Sequence, residues 1–282
     1  MPDSPIQQIV CCMGQPVAGN PTQFMMERAF AAANLDWRYL TLEVGPEDLA
    51  DAVRGLRAMG FQGGNLAAPH KQAVVSLLDA LSDTAELIEQ VNCILRREDA
   101  LVGENTEGKG FLEALRPLCD PGGKNVVLLG AGGVARAIAV EMAQAGAARL
   151  TIVNRTAERG RALVDRLHQR GHIAAEFVHL SGSFAVDEGT HIVINATSIG
   201  SDDEETLVPL DMDSLRPEML VADVTWNPPR TRLISDAAAK GCTTLDGLGM
   251  FVCQGIIAFK LWTGVDPDPA VMREALEEYL EI

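Results

Sequence analysis

The sequence predicts an α/β protein of two domains, and three observations support this prediction. Its 282 residues are 47% hydrophobic, which is enough apolar material to bury two cores. Short apolar runs alternate with stretches of helical periodicity along most of the chain. A glycine-rich turn at residues 130–135 lies between a buried strand and an amphipathic helix. Such alternation favours parallel sheets covered by helices.

The first hundred residues are predicted to contain four strands and three helices. The strands are expected at residues 6–12, 37–44, 61–67 and 91–96, and the helices at 21–35, 46–59 and 71–81. The second of these helices has the clearest start, because Pro46 is followed by two acids, a combination that suits a first turn. A helix at 106–118 is expected to link this part to a second domain.

Residues 124–156 are the most informative segment of the chain. A buried strand at 125–129 runs into Gly130-Ala131-Gly132-Gly133, a helix follows up to residue 146, and a second strand covers 150–153. Gly130 permits the tight turn, Gly132 lets the backbone approach a pyrophosphate, and Ala135 allows close helix–strand packing. This is the pattern of a Rossmann-type dinucleotide-binding unit, whose helix N-terminus binds phosphates. The alternative is a glycine-rich turn in an ordinary α/β sheet.

The end of the second strand indicates which dinucleotide binds. An acidic residue there would accept hydrogen bonds from the ribose of NAD and repel a 2′-phosphate. Here the strand ends in Asn154-Arg155-Thr156, with Arg159 one turn later, and these side chains can donate to a phosphate. We therefore expect NADP, with NAD as the weaker alternative because Glu158 lies between the arginines. The other interpretation is a helix cap at Thr156 with solvated arginines.

Composition narrows the class of partner. The formal net charge of −16 argues against nucleic acid and anionic membrane surfaces. No apolar run reaches the roughly 18–20 residues of a membrane span, and no signal peptide is recognised. The six cysteines show no CxxC spacing and lie mostly in apolar runs, so neither a metal nor disulfides are expected. These features predict a cytoplasmic protein with a small-molecule ligand.

Further motifs follow one another along nearly the whole chain. They are Gly64-Asn65-Leu66-Ala67-Ala68-Pro69-His70-Lys71, Val91-Asn92-Cys93, Gly103-Glu104-Asn105-Thr106-Glu107-Gly108, Asn195-Ala196-Thr197-Ser198-Ile199-Gly200, Asp223-Val224-Thr225-Trp226-Asn227-Pro228 and Asp246-Gly247-Leu248-Gly249-Met250 with Gln254. With the nucleotide unit, this series resembles the shikimate dehydrogenase family.

The resemblance implies an organisation and an activity. It implies a Rossmann-type NADP domain at 106–246 and a second α/β substrate domain at 1–105, completed by 247–282, with the active site in the cleft between them. The implied reaction is hydride transfer between C4 of the nicotinamide and a secondary alcohol or ketone of a hydroxylated cyclic carboxylic acid. Shikimate and 3-dehydroshikimate, or a close analogue, would be the substrates, in aromatic amino acid biosynthesis.

The resemblance also implies roles for individual residues. Lys71 and Glu107 would be catalytic, because a lysine can polarise the reacting hydroxyl and a carboxylate can hold the ammonium and relay the proton. Without the resemblance, both would be ordinary helix-start residues. The implied substrate-binding residues are Asn20, Thr22, Asn65, Asn92, Thr106 and Gln254. The cofactor-binding residues are Gly130, Gly132, Gly133, Val134, Ala135, Asn154, Arg155, Thr156, Arg159, Thr197 and Gly247.

Several positions depart from the family pattern, and all of them belong to the implied substrate pocket. Asn20 and Thr22 stand where the family has two serines that hold the substrate carboxylate. Ala67 lacks the hydroxyl of the family's threonine, Trp226 replaces a tyrosine, and Glu107 replaces an aspartate. The cofactor motifs are intact, so the hydride chemistry is better determined than the substrate.

Three alternatives therefore stay open. The chain could be a quinate dehydrogenase, or a ligand-sensing or regulatory protein of the same fold with little turnover. A reductase of another class that shares only the nucleotide unit is the third, and the N-terminal motifs argue against it. The sequence does not determine which cyclic hydroxy acid binds, the direction of the reaction, or whether the protein is a monomer or a homodimer.

Overall fold

The computed structural model describes residues 6–171, 173–201 and 205–282, and it divides the chain into two compact units. The first unit consists of the chain up to Thr106 together with Gln254–Ile282, and the second consists of Glu107–Cys253. Each unit contains its own six-stranded sheet with helices. The predicted fold class, two α/β units with a Rossmann-type arrangement in the second, is confirmed.

The first unit is built on a mixed sheet with the strand order β2-β1-β3-β5-β6-β4. The pairs β1–β2, β1–β3 and β4–β6 are parallel, whereas β3–β5 and β5–β6 are antiparallel. The elements before residue 107 are β1 (Gln8–Gly14), α1 (Thr22–Ala32), β2 (Trp37–Glu43), α2 (Leu49–Ala58), β3 (Gly63–Leu66), α3 (His70–Ala73), β4 (Ala80–Leu81), α4 (Asp83–Ile88), β5 (Cys93–Arg97) and β6 (Ala100–Glu104).

The central strand β1 shows why this sheet is covered on both faces. Its residues Val10 to Met13 are all at most 2% exposed, so both sides of the strand pack against apolar groups. Helix α1 buries Met25, Met26 and Phe30 and packs against the last helix of the chain. The carboxyl ends of β1 and β3 therefore extend from a sheet that is well packed.

The predicted helix at 71–81 is wrong over most of its length. The helix α3 covers only His70–Ala73, a 3₁₀ turn follows at Val74–Leu77, and β4 takes the end of the range. The backbone here pairs with β6 instead: Ala80 lies opposite Val102, and the Asp79 amide donates to the Leu101 carbonyl at 3.0 Å. This pairing with a strand distant in sequence overrides the local helical periodicity.

The second unit contains a wholly parallel sheet with the order β12-β11-β10-β7-β8-β9. The order reverses between β7 and β10, and such a switch point is where open α/β sheets bind ligands. The elements are α5 (Glu107–Leu115), β7 (Asn125–Leu129), α6 (Gly133–Gln144), β8 (Arg149–Asn154), α7 (Ala157–Arg166), β9 (Ala174–His179), β10 (Ile192–Asn195), β11 (Leu220–Asp223), α8 (Arg232–Ala239) and β12 (Thr243–Leu245).

Two helices, α9 (Gly247–Thr263) and α10 (Pro269–Leu280), close the chain. The second unit ends at Cys253, within α9, whereas the sequence boundary was expected at 247. The first turns of α9 pack inside the second unit, where the ring of Phe251 lies 5.1 Å from that of Trp226. Among the described helices, none combines the length and the hydropathy that crossing a bilayer requires.

Candidate active site

The glycine-rich turn between β7 and α6 leaves open space at the start of the helix. Gly132 is exposed and precedes the first residue of α6, and a Cβ built on it meets no described atom within 4 Å. The first turn of α6 carries no acidic side chain. Its unpaired amides and the helix dipole therefore favour an anion in this space. The residues present fit the pyrophosphate of a dinucleotide.

Gly130 is required for a different reason. Its φ of +109° lies in a region that L-residues rarely adopt, and a Cβ there would lie 2.7 Å from the carbonyl oxygen of Ala196. Gly130 thus allows β7 to turn beside β10. Ala135, the third small residue, is fully buried between helix and sheet, as its predicted packing role requires.

Alanine substitutions separate these two roles. Gly130→Ala is expected to lower the free energy of unfolding by roughly 1–3 kcal/mol, the usual cost of overpacking. Gly132→Ala should keep the melting temperature but weaken NADP binding by about tenfold or more, roughly 1.4 kcal/mol. Thermal unfolding and fluorescence titration with NADPH test both variants. Unaltered NADPH affinity in Gly132→Ala would contradict the phosphate-binding role.

The end of β8 presents free donors, as the sequence predicts. Arg155, Thr156 and Arg159 are all exposed, and within the described residues neither arginine forms an ion pair. Thr156 is the residue before α7, yet its side chain makes no capping hydrogen bond. Asn154 donates from Nδ2 to the Thr156 carbonyl at 2.9 Å and so holds this loop. Thr156 thus stands at the N-cap position of α7 without using its hydroxyl as a cap, and the donors remain available to a phosphate.

Thr197 lies in a loop held by a buried carboxylate. Its hydroxyl donates to Asn195 Oδ1 at 2.7 Å, and Asn195 Nδ2 donates to Asp223 Oδ1 at 3.1 Å. Thr231 Oγ1 and the Thr225 amide also donate to Asp223, at 2.9 and 3.0 Å. Burial raises the pKa of Asp223, and these hydrogen bonds oppose the rise. The Thr197 hydroxyl is thus committed to holding the loop after β10.

The raised pKa of Asp223 predicts a pH dependence of stability. The native state keeps a proton that the unfolded chain releases near the ordinary aspartate pKa of about 3.9, so the stabilisation is present below that pH. It is lost as pH rises through the higher native pKa. Asp223→Asn should therefore become more stable relative to the wild type as pH rises from about 4 toward 7, which urea unfolding measures. A pH-independent difference would contradict this assignment.

Gly247 occupies the first position of α9. A Cβ on it would overlap the main chain of Thr225, so only glycine lets the two segments approach this closely. Asp246 Oδ1 accepts from the Gly249 amide at 3.3 Å and supports the start of the helix. The structure thus explains the glycine by close packing beside the loop after β11.

Four predicted substrate-binding residues are brought together in the first unit. Asn92 Nδ2 donates to Thr106 Oγ1 at 3.0 Å and to Gln254 Oε1 at 3.1 Å, and the Thr106 amide donates to Asn92 Oδ1 at 2.7 Å. Asn65 Nδ2 donates to the Asn92 carbonyl at 3.1 Å. Asn92 and Thr106 are buried, whereas Asn65 and Gln254 are half-exposed. The buried pair holds the other two in place.

The N-terminal loop places the remaining two substrate candidates beside β1. Asn20 Oδ1 accepts from the Thr22 amide at 2.9 Å, and Asn20 Nδ2 donates to Cys12 Sγ at 3.8 Å. Thr22 is buried as the first residue of α1. Sequence reasoning missed Cys12, which contacts Asn20, and Tyr39, which contacts Asn65. A cysteine and a tyrosine in apolar strands carry no distinguishing pattern.

The two predicted catalytic residues belong to different units. Lys71 lies on α3 and is half-buried, and its positive charge acts to lower the pKa of the Cys12 thiol. Its neighbour His70 is buried and bonds the Val44 carbonyl through Nε2 at 2.7 Å, which makes His70 structural. Glu107 is the buried first residue of α5. Within the described chain, no group of three His, Cys, Asp or Glu side chains could hold a metal ion.

Comparison with known families places matches over most of the chain. The family model for the shikimate dehydrogenase substrate binding domain matches residues 12–94. The model for shikimate/quinate 5-dehydrogenase matches residues 114–207, and that for the shikimate 5′-dehydrogenase C-terminal domain matches residues 247–277.

Individual relatives agree with these matches. The shikimate dehydrogenase (NADP(+)) of Methanopyrus kandleri is 39% identical over 96% of either chain. The ligand-free 5-ketofructose reductase of Gluconobacter sp. strain CHM43 superposes with a TM-score of 0.95 at 47% identity, covering 98% of this chain and 99% of that one. A shikimate dehydrogenase in complex with NADP+ superposes with a TM-score of 0.92 at 34% identity, covering 97% and 96%.

Proposed function

Because the chain belongs to the shikimate dehydrogenase family, we propose that it interconverts a secondary alcohol and a ketone on a polyhydroxylated substrate. The family, the oxidoreductase class and the use of NADP(H), all predicted from the motifs, are confirmed by its relatives. The observation that carries the substrate proposal is the hydrogen-bonded set of Asn65, Asn92, Thr106 and Gln254. Two half-exposed amides held by two buried polar groups form a preorganised site for hydroxyl groups.

We assign the proton transfer to Lys71 and Glu107. When bound, NADP(H) accepts or donates a hydride at C4 of its nicotinamide. Lys71 carries an ammonium that can polarise the reacting oxygen and exchange a proton with it. The Glu107 carboxylate, buried at the start of α5, can orient that oxygen and accept the proton. The two side chains thereby complete the part of the reaction that the cofactor does not supply.

Glu107→Gln tests the carboxylate without changing its size. The variant should lower kcat by about 10- to 100-fold, because the carboxylate supplies only part of the rate enhancement that general acid–base catalysis contributes. Its NADPH affinity should stay near that of the wild type. Glu113→Gln is the matched control on the same helix, because Glu113 is exposed and pairs with Arg116. A Glu107→Gln variant with full kcat would remove Glu107 from the proposed chemistry.

The leading substrate is a hydroxylated cyclic acid of the shikimate and 3-dehydroshikimate class, which the names of the curated relatives support. A second candidate is a neutral polyhydroxylated ketone such as 5-ketofructose. The 47% identical reductase favours it, as does the replacement of the two carboxylate-binding serines by Asn20 and Thr22. Both candidates offer hydroxyl groups beside a reducible ketone.

A substrate panel decides between them. Shikimate, quinate and fructose are oxidised with NADP+ or NAD+, and 3-dehydroshikimate and 5-ketofructose are reduced with NADPH or NADH, all followed at 340 nm. We expect turnover of one substrate class with a kcat/KM of at least about 10⁴ M⁻¹s⁻¹, the lower end of ordinary enzymes. This value should be reached with NADP+ or NADPH and not with NAD+ or NADH. Tight binding of a panel member without turnover would instead support the regulatory alternative.

Three finer assignments belong to the same proposal. We place the protein in the cytoplasm, because all six cysteines are free. We expect a monomer or a homodimer that binds small molecules and neither nucleic acid nor membranes, in keeping with a net charge of −16. Light scattering of the purified protein measures the oligomeric state directly.

A further inference from the structure

Two buried side chains in the first unit each hold one of the asparagines that we assign to substrate binding. Asn20 Nδ2 donates to Cys12 Sγ at 3.8 Å, and Tyr39 Oη donates to Asn65 Oδ1 at 2.7 Å. Cys12 is 2% exposed and Tyr39 is fully buried. Cys12 lies in β1, directly opposite Asn65 in β3. Each asparagine is thus held by a side chain from the sheet.

The backbone fixes the orientation of the Asn65 amide. The Asn92 carbonyl can only accept, so the Asn65 atom that faces it must be the Nδ2 nitrogen. Asn65 Oδ1 therefore faces Tyr39, and the Tyr39 hydroxyl donates its single proton there. One hydrogen of Asn65 Nδ2 remains to be donated to a ligand.

The backbone also fixes the orientation of the Asn20 amide. The Thr22 amide can only donate, so Asn20 Oδ1 must face it and Asn20 Nδ2 must face Cys12 Sγ, which accepts. Burial raises the pKa of the Cys12 thiol to about 11, although Tyr39 and Lys71 oppose the rise, so the thiol keeps its proton at neutral pH.

We propose that Cys12 and Tyr39 are positioning residues. They hold Asn20 and Asn65 so that the side-chain amide hydrogens of the two asparagines are directed to the substrate. The inference rests on the proposed function of this site. With both amide oxygens engaged by the protein, the two asparagines act as donors. This wall of the site therefore selects substrate oxygens that accept hydrogen bonds, and a substrate is recognised through hydroxyl lone pairs, carbonyl or carboxylate oxygens.

Kinetics of three variants test the two contacts. Cys12→Ala and Tyr39→Phe should each raise the KM of whichever panel substrate is turned over by roughly 3- to 10-fold, the range for losing one neutral hydrogen bond. The kcat and the NADPH dissociation constant should change far less. Cys12→Ser should recover most of the loss seen in Cys12→Ala, because a hydroxyl oxygen also accepts from Asn20.

Cys11→Ala is the matched control. Cys11 is the neighbouring residue of the same strand and is equally buried, but its thiol faces the Gly63 carbonyl and touches neither asparagine. Its removal should cost similar stability, measured by thermal unfolding, and leave KM unchanged. Equal KM changes in Cys11→Ala and Cys12→Ala would show that the effect is only loss of packing, and would overturn the proposal.

A measurement without substrate keeps this test independent of the proposed function. The side-chain ¹H–¹⁵N signals of Asn20 should shift in Cys12→Ala and those of Asn65 in Tyr39→Phe, and both sets should stay in place in Cys11→Ala. Unchanged signals in both variants would overturn the positioning role whatever the protein turns over. Shifted signals in a protein that turns over no panel member would uphold the positioning of the asparagines and reject the proposed function alone.

Discussion

Lys71→Ala is expected to lower kcat by about 10²–10⁴-fold, the contribution that a general acid–base group typically makes. The loss follows because the variant retains no ammonium at this position to polarise the reacting oxygen and exchange its proton. The NADPH dissociation constant should stay near the wild-type value, since Lys71 lies in the first unit and the nucleotide motif lies in the second. Steady-state kinetics with the best panel substrate and fluorescence titration with NADPH measure the two quantities.

Lys260→Ala is the control for general loss of positive charge in an acidic protein. Lys260 is an exposed residue of α9 that pairs with Asp266, so its removal should leave kcat unchanged. If Lys71→Ala retained full kcat on a real substrate, the catalytic assignment would be wrong and another donor would have to be sought.

Arg155→Ala should weaken NADP binding by about 10- to 150-fold, because one charge-assisted hydrogen bond to a phosphate is worth roughly 1.5–3 kcal/mol. The exposed guanidinium at the end of β8 makes no ion pair within the described residues, so it is free to bind the 2′-phosphate. NAD lacks that phosphate, and its affinity should change little. Calorimetric titration with both cofactors measures the change in their ratio.

Arg161→Ala supplies the comparison for this prediction. Arg161 is on the same helix, α7, but its guanidinium lies over the Phe177 ring, 5.9 Å from the ring centroid. Its removal should not alter the NADP:NAD ratio. Equal losses for the two cofactors in Arg155→Ala would mean that Arg155 contacts a part common to both, such as the adenine.

The nucleotide unit could be predicted closely from sequence because its signals are local. The strand at 125–129 agrees with β7, and the strand expected at 150–153 lies within β8. The requirement for glycine at 130 follows from a turn that comes directly after the strand in the chain. The exposed donors at Arg155 and Thr156 likewise follow from their position after a buried strand.

The first unit was predicted less well because long-range pairing shapes it. Strand β4 and the 3₁₀ turn at Val74–Leu77 replace a predicted helix, since β4 pairs with β6, a strand that the sequence pattern did not reveal. The motif asparagines were identified, but their orientation was not. That orientation depends on Cys12 and Tyr39, which reach Asn20 and Asn65 only when β1, β2 and β3 are assembled into a sheet.

The central claim is that this chain transfers a hydride between NADP(H) and a carbon of a polyhydroxylated substrate, and deuterium tests it most directly. NADPH carrying deuterium at C4, prepared separately as the 4R and 4S forms, is incubated with 3-dehydroshikimate and with 5-ketofructose, and the products are analysed by mass spectrometry and NMR. We predict that one substrate yields an alcohol with a single deuterium on the new carbinol carbon, from one of the two forms only. Absence of deuterium from that carbon with both forms and both substrates would contradict the account.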